Sequence, residues 1–409
     1  MEQNKPIQNL YGYVVWFVIS LFVVFSFCLN TAAGVFSGAI EHTLNLTETQ
    51  TAIAMGAFIV GFALMQIPAG ALLDRFNNKL IVSCAIFILT AGAFLISRSS
   101  NLISFSLANF IMGIGGSFAF IAAGKSISKW FSFAAFPLMF GLTNTLSCFS
   151  TGFIHTLLSD QLAIRPWETV YLFLAIAGAI LCIITLIFFH DPKKDVIETN
   201  SGPKPSLISS VHQVIRIPKI WLCSLSAAFS FGALLAYVSF WYVKVENFYQ
   251  VPEDQILFFA TLTFMGVGLG TFFWGLIARY VKVLNTLIHS TLIMGTLFLL
   301  VGIYLPHFNI NTLIIAETIA FCIGFFLGGS QLFYTIAANM VPKHLTGIAL
   351  SVVNTVVFLV NTLLLSLPYA FDTKTSTFYN TLWLFPFCIV ISIGLLAYLK
   401  PPKPATSNQ

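Results

Sequence analysis

The sequence has 409 residues, of which 58% are hydrophobic and only 8% are charged, whereas soluble domains carry about 25% charged residues. A soluble core of this length cannot hide so much apolar surface, so the composition excludes a soluble globular protein and indicates a membrane protein. The net charge of +5 reflects how cations are distributed across a membrane, and we do not interpret it as a nucleic-acid-binding surface.

Apolar runs of membrane-spanning length recur along the chain. A helix needs about 20 apolar residues to cross the hydrocarbon core, and lipid offers no hydrogen-bond partners to an open backbone, so each run predicts an α-helix. The twelve predicted spans cover roughly 12–38, 51–73, 80–97, 102–124, 133–157, 168–189, 219–243, 256–278, 284–304, 312–338, 347–367 and 379–399. The sequence therefore predicts an all-α membrane protein.

A charged turn separates the second and third predicted spans. Asp74 and Arg75 directly follow an apolar run, and because hydrocarbon does not tolerate such charges, the turn must lie at a membrane surface. Gly70, one helical turn earlier, lets another helix pack closely. The segment from Gly70 to Lys79 resembles the G-x-x-x-D-R-x-G-R-[RK] signature between helices 2 and 3 of the major facilitator superfamily. The resemblance implies an inner gate, with Asp74 facing the positive N-terminus of the eleventh span near Thr346-Gly347.

The resemblance extends along the chain, with two departures from the family pattern. Asn77 and Asn78 replace the usual Gly-Arg of the signature, which removes one gating charge. Asn109 stands at the position where the family usually has an arginine, four residues before a glycine segment that here runs from Gly113 to Gly116. The stretch from Thr346 to Asn354 is similar to the family's eleventh helix. The resemblance implies twelve transmembrane helices in two six-helix repeats, and a transporter that is not an enzyme.

The chain divides into two halves around its only long polar stretch. Residues 191–218 predict a cytoplasmic linker, with a short amphipathic helix from Ser206 to Arg216, between an N-terminal six-helix bundle (1–190) and a C-terminal six-helix bundle (219–409) that ends in a short cytoplasmic tail. The halves repeat weakly: Gly70 corresponds to Gly275, Gly115-Gly116-Ser117 to Gly328-Gly329-Ser330, and Asn144-Thr145 to Asn354-Thr355. Such repeats are typical of this transporter architecture.

Positive charges are distributed unevenly between the two sides of the predicted membrane. With both termini cytoplasmic, fifteen Lys and Arg residues lie on the inner side and four on the outer side, namely Arg98, Arg165, Lys244 and Lys374. This is a strong positive-inside bias. It predicts an integral protein of the bacterial inner membrane with both termini in the cytoplasm.

Polar residues inside the spans are candidates for solute binding, because such groups normally face a cavity or a neighbouring helix. Asn144 and Asn354 occupy matching positions of the two repeats, and Asn30, Tyr237 and Asn361 are further candidates. In the tenth span, helical spacing forms one stripe of Glu317, Gly324, Gly328, Gln331 and Thr335. A solute path and simple helix–helix packing both explain these residues, and the sequence leaves both open.

Glu317 is the only acid that the predicted spans place well inside the membrane, roughly 8 Å from the outer end at 1.5 Å per residue. Because burial disfavours a charged carboxyl group, Glu317 is the best candidate for proton coupling; the alternative is an interfacial carboxylate reached by water. His289, in the ninth span, is a second titratable candidate, for which a packed histidine is the alternative interpretation.

Missing motifs narrow the function. The first and seventh spans contain no internal Arg or Lys, which disfavours the organic phosphates that some family members carry. The absence of a phosphate-binding loop excludes ATP-driven pumping by this chain alone. The remaining Asn, Gln, Ser, Thr and Tyr groups, amid 43 Phe residues, favour a neutral or zwitterionic organic solute.

We therefore expect a secondary active transporter, a symporter that imports such a solute by alternating access with protons. The alternatives are an exporter of a siderophore or drug, and a non-transporting membrane sensor on the same scaffold. The expected partners are the solute, a proton or other coupling ion, and the lipid bilayer, without nucleic acid and with the protein as a monomer. We expect no cofactor and no metal, since the seven cysteines lack metal-ligand spacing.

Overall fold

The computed structural model describes residues 5–192, 206–238, 253–281, 283–304, 313–370 and 382–399. Throughout these ranges the regular structure is helical, without a strand. The predicted cations Lys244 and Lys374, and most of the predicted linker (193–205), lie outside the described residues.

The first half of the chain forms seven α-helices, two of which share one span. They are α1 (Lys5–Leu44), α2 (Glu48–Arg75), α3 (Asn78–Ser97), α4 (Leu102–Gly116), α5 (Phe118–Trp130), α6 (Phe136–Ile164) and α7 (Trp167–Phe188). A short helix, α8 (Leu207–Ile215), follows in the linker region. The break between α4 and α5 falls at Ser117, so both belong to one predicted span.

The second half contains further breaks within spans. Its α-helices are α9 (Pro218–Ala227), α10 (Ala233–Ala236), α11 (Glu253–Ala278), α12 (Leu284–Tyr304), α13 (Leu313–Leu327), α14 (Leu332–Asn339), α15 (Thr346–Ala370) and α16 (Leu384–Tyr398). A π-helical turn (Ala228–Gly232) joins α9 to α10, and a 3-10 turn (Gly328–Gln331) joins α13 to α14. A second 3-10 turn (Lys343–Leu345) precedes α15.

The predicted membrane-spanning character is confirmed. Within the described residues, ten helical segments are long and apolar enough to cross a membrane. The fifth and twelfth predicted spans coincide with α6, which has 29 residues, and with the 15 residues of α16. The prediction of an all-α membrane fold is therefore correct.

Local sequence signals explain where helices begin. At the start of α2, the Thr47 hydroxyl accepts a hydrogen bond from the Gln50 backbone N–H, while the Gln50 side chain accepts one from the Thr47 N–H. This reciprocal capping satisfies two backbone donors that helix geometry leaves free. Asn77 caps α3 by accepting from the Leu80 N–H at 3.3 Å. The departure from the family signature at position 77 therefore supplies a helix cap.

Contacts divide the chain into two compact units. Unit 1 comprises Met1–Ser132, Phe149–Gln213 and Lys343–Ser351; unit 2 comprises Phe133–Cys148, Val214–Pro342 and Val352–Gln409. The beginning of α15 therefore belongs to unit 1 and its remainder to unit 2. The beginning of α6 belongs to unit 2 and its remainder to unit 1.

Glycines allow close helix packing inside each unit. In unit 1, α2 meets α4 where a Cβ on Gly61 or Gly113 would strike the backbone of the facing helix. In unit 2, α11 meets α13 in the same way, through Gly266 and Gly270 on α11 and Gly324 on α13. The second and fourth spans thus pair in unit 1 as the eighth and tenth spans pair in unit 2, as the predicted repeat requires.

Candidate functional site

The Asp74 carboxylate lies at the N-terminus of α15, within unit 1. Its Oδ1 accepts a hydrogen bond from the Gly347 N–H at 2.9 Å, and its Oδ2 accepts one from the Ile348 N–H at 2.8 Å. The first N–H groups of a helix have no partner inside the helix and carry its positive end. Both oxygens of Asp74 therefore accept hydrogen bonds from N–H groups that have no partner within α15.

Lys125, from α5, completes this cluster. Its Nζ lies 2.5 Å from Asp74 Oδ1 and donates to the Lys343 carbonyl at 2.5 Å. Among the residues whose exposure the structure describes, Lys125 is the only buried Lys or Arg, at 1% exposure, and the Asp74 side chain that it contacts is 4% exposed. Removing one partner of a buried ion pair leaves an uncompensated charge. We call Asp74, Lys125, Lys343, Gly347 and Ile348 the Asp74 cluster.

Two glycines let the carboxylate reach α15. A Cβ added to Gly70 would lie 2.6 Å from the Gly347 carbonyl oxygen, and one added to Gly347 would lie 2.8 Å from Asp74 Oδ1. Neither separation is compatible with an ordinary van der Waals contact. Gly70 and Asp74, the glycine and the acid of the signature, thus both form part of the contact between α2 and the start of α15. The guanidinium carbon of Arg75, the other charged residue of the signature, lies 5.9 Å from the centre of the Phe76 ring.

A second polar cluster of unit 1 lies where α7 ends. Asp191 accepts hydrogen bonds from Lys129 Nζ at 3.0 Å and from Asn78 Nδ2 at 3.2 Å. The neighbouring His190 ring approaches the Tyr11 hydroxyl at 2.7 Å and Lys79 Nζ at 3.3 Å. Asn78, at the position where the family usually has an arginine, therefore hydrogen-bonds to Asp191, the first residue of the predicted linker.

In unit 2, Gln331 carries the least satisfied polar side chain of the predicted solute candidates. It is only 4% exposed, and neither its amide oxygen nor its amide nitrogen has a hydrogen-bond partner. One turn later, Thr335 Oγ1 is also buried without a partner. A buried polar group without a partner costs about 1–3 kcal/mol, so this end of the stripe is costly unless something else binds it.

The other half of the stripe has a packing role. Gly324 and Gly328 face the backbone of α11, where a Cβ on Gly328 would lie 3.0 Å from the Val267 carbonyl oxygen. Glu317 is partly exposed on α13 and makes no ion pair or hydrogen bond with the described residues. The predicted stripe thus combines a glycine packing seam with two buried polar groups at its end.

The remaining candidates in unit 2 have partners from neighbouring helices. Asn354 accepts a hydrogen bond from the Tyr334 hydroxyl at 2.7 Å. Asn361 donates to the Gly232 carbonyl at 3.3 Å, and the ring of Tyr237 packs edge-on against Phe385 with centroids 5.6 Å apart. These contacts agree with the packing interpretation of Asn361 and Tyr237. The hydrogen bond places Asn354 beside Tyr334, and Tyr334 follows Gln331 by three positions in the sequence.

The two further candidates are Asn144, in unit 2, and Asn30, in unit 1. Asn144 donates to Thr271 Oγ1 at 3.4 Å, and the adjacent Thr145 donates to the Gly268 carbonyl at 2.6 Å. Both bonds tie the beginning of α6 to α11 inside unit 2. Asn30 is an exposed residue of α1 in unit 1.

Sequence reasoning missed Tyr334 and did not pair Lys125 with Asp74, although it did place Asp74 at the N-terminus of the eleventh span. Tyr334 gave no signal because a tyrosine in an apolar span is ordinary, and its bond to Asn354 joins residues 20 positions apart. Lys125 did give a signal, a lysine one turn inside Lys129 near the end of a span. Its contact with Asp74 connects positions that are 51 residues apart, which spacing alone cannot reveal.

Apolar helices of spanning length, glycine-packed repeats and a carboxylate bound to a helix N-terminus define an all-α membrane protein of the transporter class. The family model of the Major Facilitator Superfamily matches residues 18–364. The chain belongs to this superfamily, and the resemblance found in the sequence is confirmed.

Curated relatives are transporters of low overall identity. The chain is 26% identical to the "Probable galactarate/D-glucarate transporter GudP" of Bacillus subtilis over 191 residues, which cover 44% of this chain and 42% of that protein. It is 20% identical to the protein of the same name from Escherichia coli over 376 residues, covering 82% and 81%. The chain therefore spans less than half of the first relative and most of the second.

A solved structure has a similar fold. The transporter FucP, described as a Major Facilitator Superfamily protein in the outward conformation, matches with a TM-score of 0.69 and 14% identity over 94% of this chain and 98% of its own. This likeness supports the fold alone.

Proposed function

We propose that this protein is a secondary active transporter that moves a small neutral or zwitterionic organic solute across a bacterial inner membrane by alternating access, importing it together with protons. The observation that carries the transport mechanism is the Asp74 cluster. Asp74 binds two N–H groups at the start of α15, and Lys125 binds both Asp74 and the Lys343 carbonyl.

The cluster suits an inner gate because its contacts are few, polar and reversible. The ion pair holds the beginning of α15 against α2. Gly70 and Gly347 have no side chains, so the two helices meet here through their backbones and no apolar side chains interdigitate. Water can replace every one of these hydrogen bonds once the seam opens. We infer that α15 is released from Asp74 when the transporter opens inward and is bound again when it closes.

The proposed solute class rests on the buried polar groups of unit 2. Gln331 offers one amide donor group and one acceptor, and Thr335 offers a hydroxyl; neither side chain has a partner. Lys125, the only fully buried cation among the described residues, is already paired with Asp74. Galactarate and D-glucarate are dianions, and a buried dianion needs positive partners. We therefore propose that this chain takes a neutral or zwitterionic polar solute, unlike the relatives named for sugar acids.

Ligand-induced thermal stabilisation of the purified protein tests the solute class, since a bound ligand raises the apparent stability by mass action. The library contains polyols, neutral sugars, amino acids and nucleosides, with galactarate and D-glucarate as the charged comparison. We expect a neutral or zwitterionic compound to raise the melting temperature and to be taken up by proteoliposomes. Stabilisation and uptake of the sugar acids alone would contradict the proposed class but not transport itself.

A further inference from the structure

The short helix α8 lies, in sequence, between the two predicted six-helix bundles, and it has one apolar face. Its apolar residues follow the spacing i, i+1, i+4, i+7 and i+8, which places them on a single side of a helix; they are Leu207, Ile208, Val211, Val214 and Ile215. Such a helix must cover this face with protein or with lipid.

Protein covers only one edge of that face. Val214 is 0% exposed, whereas Ile208 is 83% exposed. At 100° per residue, Ile208 and Ile215 lie on the edge away from Val214. Leu207, Val211 and Ile215 are partly exposed. The exposed apolar edge is therefore a strip that runs from Ile208 to Ile215, which the described residues cover least at Ile208.

Basic residues border the exposed strip. His212 and Arg216 follow Ile208 at intervals of four residues, so they lie next to it on the helix surface, and both are exposed. Lys219 follows at the next turn of the chain, and the sequence 206–221 contains no Asp or Glu. The strip thus has an apolar side and a positively charged border, and no acid opposes it locally.

The position of α8 places this strip at a membrane surface. Only Arg216 and Ile217 separate it from α9, which begins the seventh span. The Trp221 Nε1–H donates to the Ile215 carbonyl at 2.7 Å, so the first turn of the span holds the last turn of α8. Tryptophan is typical of membrane–water interfaces. The helix cannot lie far from the headgroups of the lipids around α9.

We propose that α8 is an interfacial helix that binds the anionic phospholipid surface. Ile208 enters the boundary between headgroups and acyl chains, and Arg216 and Lys219 bind lipid phosphates. Charge complementarity selects this occupant. A second copy of the strip would bring like charges together, whereas an anionic membrane surface attracts juxtamembrane basic residues.

Hydrogen exchange of the intact protein in nanodiscs tests this proposal. The wild type is compared in discs of phosphatidylcholine alone and in discs that also contain phosphatidylglycerol. We expect amide exchange in 207–215 to slow several-fold in the anionic discs, with unchanged exchange in α3. Ile208→Asn and Arg216→Gln should each remove most of this protection. Gln213→Asn, on the polar face of the same helix, should keep it.

Three outcomes separate the possible occupants. Equal exchange in both lipid compositions would overturn the proposal, because the charged headgroup would then contribute nothing. Protection that appears only in discs loaded with two copies would instead assign the strip to a second chain. Protection that survives Ile208→Asn would show that the exposed strip is not the lipid contact, and would equally overturn the proposal.

Discussion

At the scale of single residues, Asp74 and Gln331 present opposite situations. The Asp74 carboxylate is buried with every nearby donor used: two backbone N–H groups and the Lys125 ammonium. Gln331 is equally buried, but its amide has no partner. A satisfied buried charge stabilises the state in which it is bound, whereas an unsatisfied buried amide is stabilised only by a ligand. We therefore propose Asp74 for gating and Gln331 for solute binding.

Neutralising Asp74 tests the gate. Asp74→Asn leaves the Lys125 ammonium buried without a counter-charge, which costs about 3–5 kcal/mol when a buried pair is broken. We expect a lower melting temperature and reduced transport. The double variant Asp74→Asn/Lys125→Met removes both charges, so stability should largely recover while transport stays low. Asp191→Asn, at the more exposed ion pair with Lys129, serves as the control and should change both little.

If transport recovers together with stability in the double variant, the cluster is a structural element only. If the single variant transports like the wild type, the motif has no gating role in this protein.

Replacing Gln331 tests the solute site. Gln331→Leu has similar volume and removes two buried groups without partners, so the free energy of unfolding should rise by about 1–3 kcal/mol. Solute-induced thermal stabilisation and uptake should be lost in the same variant. Asn361→Leu provides the comparison: it breaks the bond to the Gly232 carbonyl, so it should destabilise the protein while leaving solute affinity nearly unchanged. A Gln331→Leu protein that still binds solute normally would remove this residue from the site.

At the scale of elements, the sequence predicted the spans well but not their internal breaks. Hydrophobic length alone identified the helices, because a continuous apolar run in lipid satisfies its own backbone hydrogen bonds as a helix. It did not reveal the interruption at Ser117, the π-helical turn at Ala228–Gly232 or the 3-10 turn at Gly328–Gln331. These breaks involve only a few residues each, so the hydropathy of a whole span does not reveal them. They depend on packing against neighbouring helices, which a single sequence does not specify.

The same reasoning explains why candidate residues were found but their partners were not. Polar residues in apolar spans are conspicuous, so Asp74, Asn354 and Gln331 were visible from composition. The hydrogen bonds of Asn354 and Asp74 join positions 20 to 274 residues apart, and no local pattern records such distances. The exception is Asp74, for which the family resemblance placed the N-terminus of the eleventh span opposite the carboxylate.

The seam between α2 and the start of α15 provides a prediction at this scale. Gly70→Ala puts a Cβ 2.6 Å from the Gly347 carbonyl oxygen, so the helices must separate, and overpacking of this kind costs about 1–3 kcal/mol. We expect reduced thermal stability and weaker gating in transport assays. Gly56→Ala, in the same helix but with no atom within 4 Å, should instead leave stability unchanged or raise it by up to about 1 kcal/mol. Equal effects of both substitutions would argue against a close seam.

At the scale of the whole molecule, the repeat is structural but its charges are asymmetric. Gly275 packs α11 against α6 in unit 2, as Gly70 packs α2 against α15 in unit 1. The position that corresponds to Asp74 holds the exposed Arg279, and Asn144 and Thr145 contact α11 through uncharged hydrogen bonds. The charged cap therefore belongs to one repeat only.

Membrane orientation gives a further prediction at this scale. The fifteen-to-four distribution of Lys and Arg predicts that the linker 191–218 and both termini are cytoplasmic. A reporter fused after Ser201 should be active as a cytoplasmic enzyme and inactive as a periplasmic one. Periplasmic activity at Ser201 would place the Asp74 cluster at the outer surface, and the inner-gate proposal would fail with it.

The proposed proton coupling concerns the whole transport cycle and rests on Glu317. This carboxyl group lies on α13, in the predicted stripe that also contains Gln331, and has no ion pair or hydrogen bond with the described residues. We propose Glu317 as the coupling group because it is the one acid that the predicted spans place well inside the membrane.

Glu317→Gln should imitate the permanently protonated carrier. We expect uphill accumulation driven by a pH gradient to be lost, whereas solute binding and counterflow exchange persist, because exchange requires alternating access but no net proton release. Glu48→Gln, at an exposed acid in the first turn of α2, should leave accumulation intact and controls for the loss of any carboxylate. Accumulation that remains pH-driven in Glu317→Gln would exclude Glu317 and direct attention to His289, whose ring contacts the Asn285 carbonyl in α12. A wild type without any pH dependence would instead identify a uniporter or a transporter driven by another ion.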